Sequence, residues 1–194
     1  MRPCAILKVT NNNCGRFDED PSHPMIYPIV KYGDPVLETP AETITQFDGE
    51  LQKLADDMFE SMYAAHGVGL AAPQIGISKR IAVIDVTFKE DPGAKLVLVN
   101  PEIVKRQGKQ SGSEGCLSLP DFRETVSRAN VVTVRAQDLA GKWFETTGEG
   151  LLARALLHET EHLQGKLYIS HISALKRDIM KRKIKKLIRV GEWK

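Results

Sequence analysis

The chain has 194 residues, 42% of them hydrophobic and 27% charged, with a formal net charge of +2. That length supports one domain with a buried core rather than two, and the composition fits a soluble globular protein. No apolar run approaches the roughly 18 residues a membrane span needs, so no membrane partner is expected.

Residues 1–24 are polar, carry an Asn triplet and show no sustained period. They are predicted to be a disordered N-terminal extension. The apolar patch CAILKV within them is too short for a secretory core, and the acidic residues that follow suit a transit peptide poorly. The expected location is therefore the cytoplasm, with a bacterial or an organellar copy both open. Three cysteines, Cys4, Cys14 and Cys116, make no disulfide framework and are expected as thiols there. Texture changes at Met25, a candidate initiation site, and residues 25–194 are expected to form a single domain ending in a basic amphipathic helix.

From Asp48, a plausible N-cap, Leu51, Leu54, Ala55, Met58, Met62 and Ala65 recur at helical spacing. This helix leads into the glycine-bearing segment 66-HGVGLAAPQIG-76. Strands are predicted at 81–87, 96–100 and 131–137, and at 142–147 after a DLAG turn. Strands bracketed by helices, without regular βαβ alternation, indicate an α+β fold. A helix starting near Glu149 and stopping at Gly165 is apolar over most of its circumference, which predicts burial. The last helix, 173–189, has Ser173 as N-cap and an expected apolar seam of Leu175, Ile179, Ile184, Leu187 and Ile188. Residues 176–189 within it carry a local charge of +7, leaving about −5 on the remainder.

The buried helix holds 158-HETEH-162. Positions i and i+4 share a helix face, so His158 and His162 can close on one cation. Two histidines and two glutamates are costly in an apolar helix unless a metal compensates them. Two imidazoles do not complete a catalytic site. Downstream, the position that would supply a third histidine after Gly165 is Tyr168. Beyond His162 the only glutamate is Glu192, and His171 follows a helix stop. Upstream, 112-GSEGCLSLP-120 offers Cys116, the only cysteine of the chain body, among small residues that allow close approach. One thiolate and two imidazoles leave a fourth position open for water.

Three blocks, 67-GVGLAAPQ-74, 114-EGCLS-118 and 158-HETEH-162, stand in the order and approximate spacing found in peptide deformylases. The chain resembles that family from about Met25 to the basic helix, in the form that ends in a helix. It departs where Leu157 replaces the usual Gln and Glu161 the usual Asp, positions that affect hydrogen bonding around the histidines. The fold implied has antiparallel sheets packed around the central helix that carries the motif, with a C-terminal helix.

The resemblance also implies functional roles. Cys116, His158 and His162 would bind one divalent metal ion, most commonly Fe(II) in the family, with Zn, Ni or Co equally compatible with the donors. Glu159 would act as the proton carrier, and the Gln74 amide and Leu117 N–H would stabilise the oxyanion. Val68, Gly69 and Leu70 would pair with the peptide backbone, and Arg123 would face the peptide or form a surface salt bridge. Glu114 would be a buried support. The substrate implied is an N-formyl-methionyl peptide, cleaved to formate and a free amine by a monomeric enzyme. The basic C-terminal helix would dock on the ribosome, where cation release makes binding salt-dependent. Two alternatives share these features: a metallopeptidase built on HExxH, and an inactive ribosome-associated binding module.

Overall fold

A computed structural model describes residues 24–193, so the predicted N-terminal extension lies outside the described residues apart from Pro24. Among the described residues there are three α-helices: α1 (Gly49–Ala64), α2 (Leu151–His162) and α3 (Ala174–Arg189). The strands are β1 (Gly69–Ala71), β2 (Ile81–Ile84), β3 (Leu96–Gln107), β4 (Gln110–Cys116), β5 (Leu119–Arg128), β6 (Val131–Gln137) and β7 (Trp143–Glu149). Five form an antiparallel sheet in the order β1-β2-β3-β6-β7, while β4 and β5 make a separate hairpin. The architecture is α+β, as expected. No helix is long and apolar enough to cross a membrane among the described residues.

α2 is the hub. Its Ala153, Leu156 and Leu157 pack against Ile84, Leu98, Val132 and Val134 of the sheet. Close contact requires Gly148 of β7, where a Cβ would stand 2.6 Å from Leu152 Cγ and 2.9 Å from Leu156 Cδ1. α1 begins where Asp48 Oδ1 accepts the Leu51 N–H at 3.1 Å, satisfying one of the free donors of the first turn. Its Met58 and Met62 cover Leu70, Ile81 and Val83. A third cluster joins Leu119 and Val126 of β5 to Tyr168, Met180 and Ile184.

Four details differ from the sequence reading. β2 stops at Ile84, because the Asp85 carboxylate accepts the N–H groups of Thr87 and Lys89 at 2.9 Å each and turns the chain. β3 runs on to Gln107, its polar second half held by pairing with β6 through register shifts. α2 ends at His162, and the chain then turns through Gly165 at φ 70°. On α3 the expected seam holds at Ile184 and is corrected elsewhere: Met180 docks on the body with it, whereas Leu175, Ile179 and Ile188 are exposed. Residues 180 and 184 are one turn apart, so the helix touches the body along a single line.

Candidate active site

The β4–β5 hairpin brings Cys116 to α2. Gly115 pairs with Arg123 but Cys116 with Leu119, a register shift that takes the chain out of the ladder at the cysteine. Such irregularities re-aim side chains. Here Cys116 Sγ lies 3.2 Å from His162 Nε2, which in turn lies 3.2 Å from His158 Nε2. The three donor atoms all fall within 4.8 Å of one another. Sequence spacing brought the histidines together; the hairpin supplies the sulfur.

Glu114 sits beneath this triad and is buried. Its carboxylate contacts His158 Nδ1 at 2.7 Å and accepts from Arg128 Nη2 at 2.6 Å and Arg154 Nη1 at 2.7 Å. Burial opposes ionisation, but hydrogen bonds from His158 and Arg128 hold its carboxyl well below the usual carboxylate range. Arg128 also donates to Glu161 at 2.7 Å, and Glu161 meets His171 Nε2 at 2.9 Å. The glutamate at the departing position thus anchors an arginine instead of touching a histidine of the triad. Arg128 and Arg154 were missed in the sequence, and His171, weighed there only as a metal ligand, meets Glu161 instead. Arg154 had a signal: an arginine one turn before His158 in an otherwise apolar helix needs a buried counter-ion.

Glu159 is buried beside the triad, and its Oε2 has no hydrogen-bond partner among the described residues. Burial pushes its pKa up to about 7, with the charge of His158 opposing and that of Glu114 adding. Gly69 makes room for it: a Cβ there would lie 2.9 Å from Glu159 Cδ. Gln74, on the short 3-10 turn after β1, accepts the Ala71 N–H on Oε1 at 2.8 Å. That bond turns Nε2 toward the site, 3.4 Å from Cys116 Sγ. A cleft of about 860 Å³ opens in front, lined by Val68, Gly69, Gln74, Leu117, Arg123 and Glu159 among others. Leu70 is not among the lining residues; its side chain is fully buried, and the segment facing the cleft runs from Ala65 to Gly69. Arg123 lies over Gly115, where a Cβ would stand 3.4 Å from its Nε, and has no ion-pair partner among the described residues.

The donor set fits a metal. Glu114 fixes Nδ1 of His158, which leaves Nε2 to face the sulfur and the second imidazole, an array of donors suited to one cation. For His158, burial works against protonation, yet hydrogen bonds to Cys116 and Glu114 and the charge of Glu159 raise its pKa well above the ordinary value. Burial and the charge of His158 keep His162 well below it.

Fold and site together define a metal-dependent amide hydrolase. The family model described as polypeptide deformylase matches residues 26–178, and the chain belongs to that family. It is 64% identical over 169 residues to the peptide deformylase of Acidobacterium capsulatum, covering 87% of this chain and 99% of that one. It is 49% identical over 160 residues to the peptide deformylase of Thermodesulfovibrio yellowstonii, covering 82% and 97%. The crystal structure of a peptide deformylase from Legionella pneumophila superposes with a TM-score of 0.79 at 48% identity, covering 87% of this chain and 99% of that one. The reaction of this family is the hydrolytic removal of the formyl group from N-formyl-methionyl nascent peptides, using a single catalytic metal.

Proposed function

We propose that Cys116, His158 and His162 hold the catalytic cation, that Glu159 carries the proton, and that Gln74 and Leu117 receive the oxyanion. The observation that carries this reading is the convergence of one sulfur and two imidazole nitrogens within 4.8 Å, beside a buried carboxylate with a free oxygen. A divalent cation held there supplies the Lewis acidity that makes water nucleophilic at neutral pH. Glu159 accepts the proton from that water and delivers it to the leaving nitrogen as the formyl C–N bond breaks, giving formate and a free amine. The Gln74 amide, oriented by Ala71, stays neutral while donating to the developing charge. Gly67, Val68 and Gly69 offer the edge along which the peptide backbone lies, and Glu114 keeps His158 turned to the metal.

Fe(II) is the ion proposed for the cell, since the thiolate and imidazole donors accept iron as well as zinc, nickel or cobalt. The iron form should then lose activity in air by oxidation of the metal or of Cys116. The exposed basic face of α3 is the proposed ribosome contact. Lys183, Lys185 and Lys186 are exposed there, and Leu175 and Ile179 leave apolar surface beside them.

Formate release from formyl-Met-Ala-Ser by metal-loaded protein, compared with cleavage of the same peptide lacking the formyl group, tests the reading. Release only from the formylated peptide, lost in Cys116→Ser together with the metal, is expected. Internal cleavage of either peptide, or full activity in Cys116→Ser, would overturn it.

A further inference from the structure

The cleft has a second feature at its mouth. From Gly69, packed against Glu159, the lining segment runs back through Val68 and Gly67 to His66. Val68 O accepts the Asp85 N–H at 3.0 Å and Gly67 N–H reaches Met62 O at 2.9 Å, so this edge is pinned along its length. His66 is exposed and stacks on Phe88, with ring centroids 6.2 Å apart and planes 18° from parallel. Phe88 is itself 43% exposed and meets Tyr63 edge-on at 5.7 Å.

His66, at φ 55°, closes α1 in the left-handed conformation of a helix end, its N–H on Tyr63 O at 3.0 Å. Phe88 and Lys89 have φ of 54° and 74°, a region that such residues rarely enter. The fixture is Asp85, fully buried, which takes the Thr87 and Lys89 N–H groups and the Tyr63 hydroxyl at 2.6 Å. Here a buried network holds Phe88 at the surface against His66, and His66 lines the substrate cleft. Strain of this kind persists where surrounding contacts over-determine it, and it points to use.

We infer that His66, backed by Phe88, is a specificity-determining contact for an aromatic side chain of the formylated peptide. The register follows from the edge, and so rests on the reading of Gly67–Gly69 as the peptide-pairing edge. An extended chain advances about 3.3 Å per residue. With the formyl group at Glu159, the residue beside His66 is therefore the third or fourth. Its ring would stack on the open face of the imidazole, while Phe88 holds the other face. A rigid ring loses little freedom on contact, which is how preorganisation favours binding.

The test compares kcat/KM for formyl-Met-Ala-Phe-Ser, formyl-Met-Ala-Ser-Phe and formyl-Met-Ala-Ser-Ser with metal-loaded protein. One of the two phenylalanine peptides should be favoured about two- to ten-fold, the scale of one aromatic pair. Because the contact is remote from the scissile bond and present throughout, the preference should lie in KM. His66→Asn, which tolerates the left-handed backbone, and Phe88→Ala should each bring the ratio to about one, while Phe88→Tyr should keep it. Thermal midpoints show which variants are folded, and if Phe88→Ala is not, His66→Asn decides. Equal rates on all three peptides in the unmodified protein, or a preference that survives in His66→Asn, would overturn the inference. No formate from any peptide would sink the active-site reading first, and this contact with it.

Discussion

Glu114 and His158 meet through a 2.7 Å contact between Oε1 and Nδ1, and the same carboxylate is gripped by two arginines from different elements. Glu114, on β4, thus fixes the ring of a proposed metal ligand on α2. Replacing Glu114 by Gln keeps the shape but leaves Arg154 buried without its counter-charge and Arg128 with Glu161 alone. Breaking such a group costs about 3–5 kcal/mol, and losing the partner of a ligating histidine weakens metal binding about 10- to 100-fold. Denaturant unfolding and metal titration of Glu114→Gln check both numbers. Unchanged metal affinity would show that His158 is oriented by something else.

Gly69→Ala separates position from chemistry. Its backbone does not need glycine's left-handed freedom, but the new Cβ would fall 2.9 Å from Glu159 Cδ and 3.0 Å from Cγ. The carboxylate must move. A displacement near 1 Å at a reacting group costs on the order of 10²-fold in rate, so kcat should fall by about that factor while metal content stays full.

Metal loading should release protons. Without a cation, His158 is kept protonated by its partners and His162 neutral, and burial pushes Glu159 up to about 7. Ligation requires a bare imidazole and a thiolate, and a nearby dication favours ionised Glu159, so every change has the same sign. At least about one proton per zinc should appear near pH 7 in weakly buffered solution, and apparent affinity should rise with pH. In Glu159→Gln the metal should still bind, proton release should drop, and kcat should fall about 10²- to 10⁴-fold. Equal proton release from the variant would remove Glu159 from this scheme.

α3 offers a separable function. Reversing Lys181, Lys183, Lys185 and Lys186 to Glu leaves Met180 and Ile184, which dock the helix, untouched. Cosedimentation with ribosomes should weaken, and its steep salt dependence should flatten, while hydrolysis of a short formyl peptide in solution continues. Undiminished cosedimentation would rule out the helix as the contact.

Much of this was legible in the chain itself. The helix period exposed α1 and α2, and with α2 the paired histidines, because burial forces apolar residues into a regular pattern. The β4–β5 hairpin was not legible. Residues 110–116 carry one buried side chain, Glu114, and no alternating apolar pattern, because the hairpin is spent on positioning Cys116 and on polar contacts. Cys116 could be singled out as a candidate ligand, but its anchoring could not be seen, since Arg128 and Arg154 lie 14 and 40 residues from Glu114. β1, three residues within a glycine-bearing segment, is too short for any period to declare it. The α3 seam was right at Ile184 but missed Met180, because six large apolar residues on a basic helix fit more than one face, and only the docked body selects Met180 and Ile184.

The central claim is coordination by one sulfur and two imidazoles, and X-ray absorption at the metal edge of the zinc-loaded protein tests it most directly. One sulfur at about 2.3 Å and two nitrogens at about 2.0–2.1 Å are predicted, with the sulfur signal gone in Cys116→Ser. A zinc shell of nitrogen and oxygen alone in the unmodified protein would contradict it.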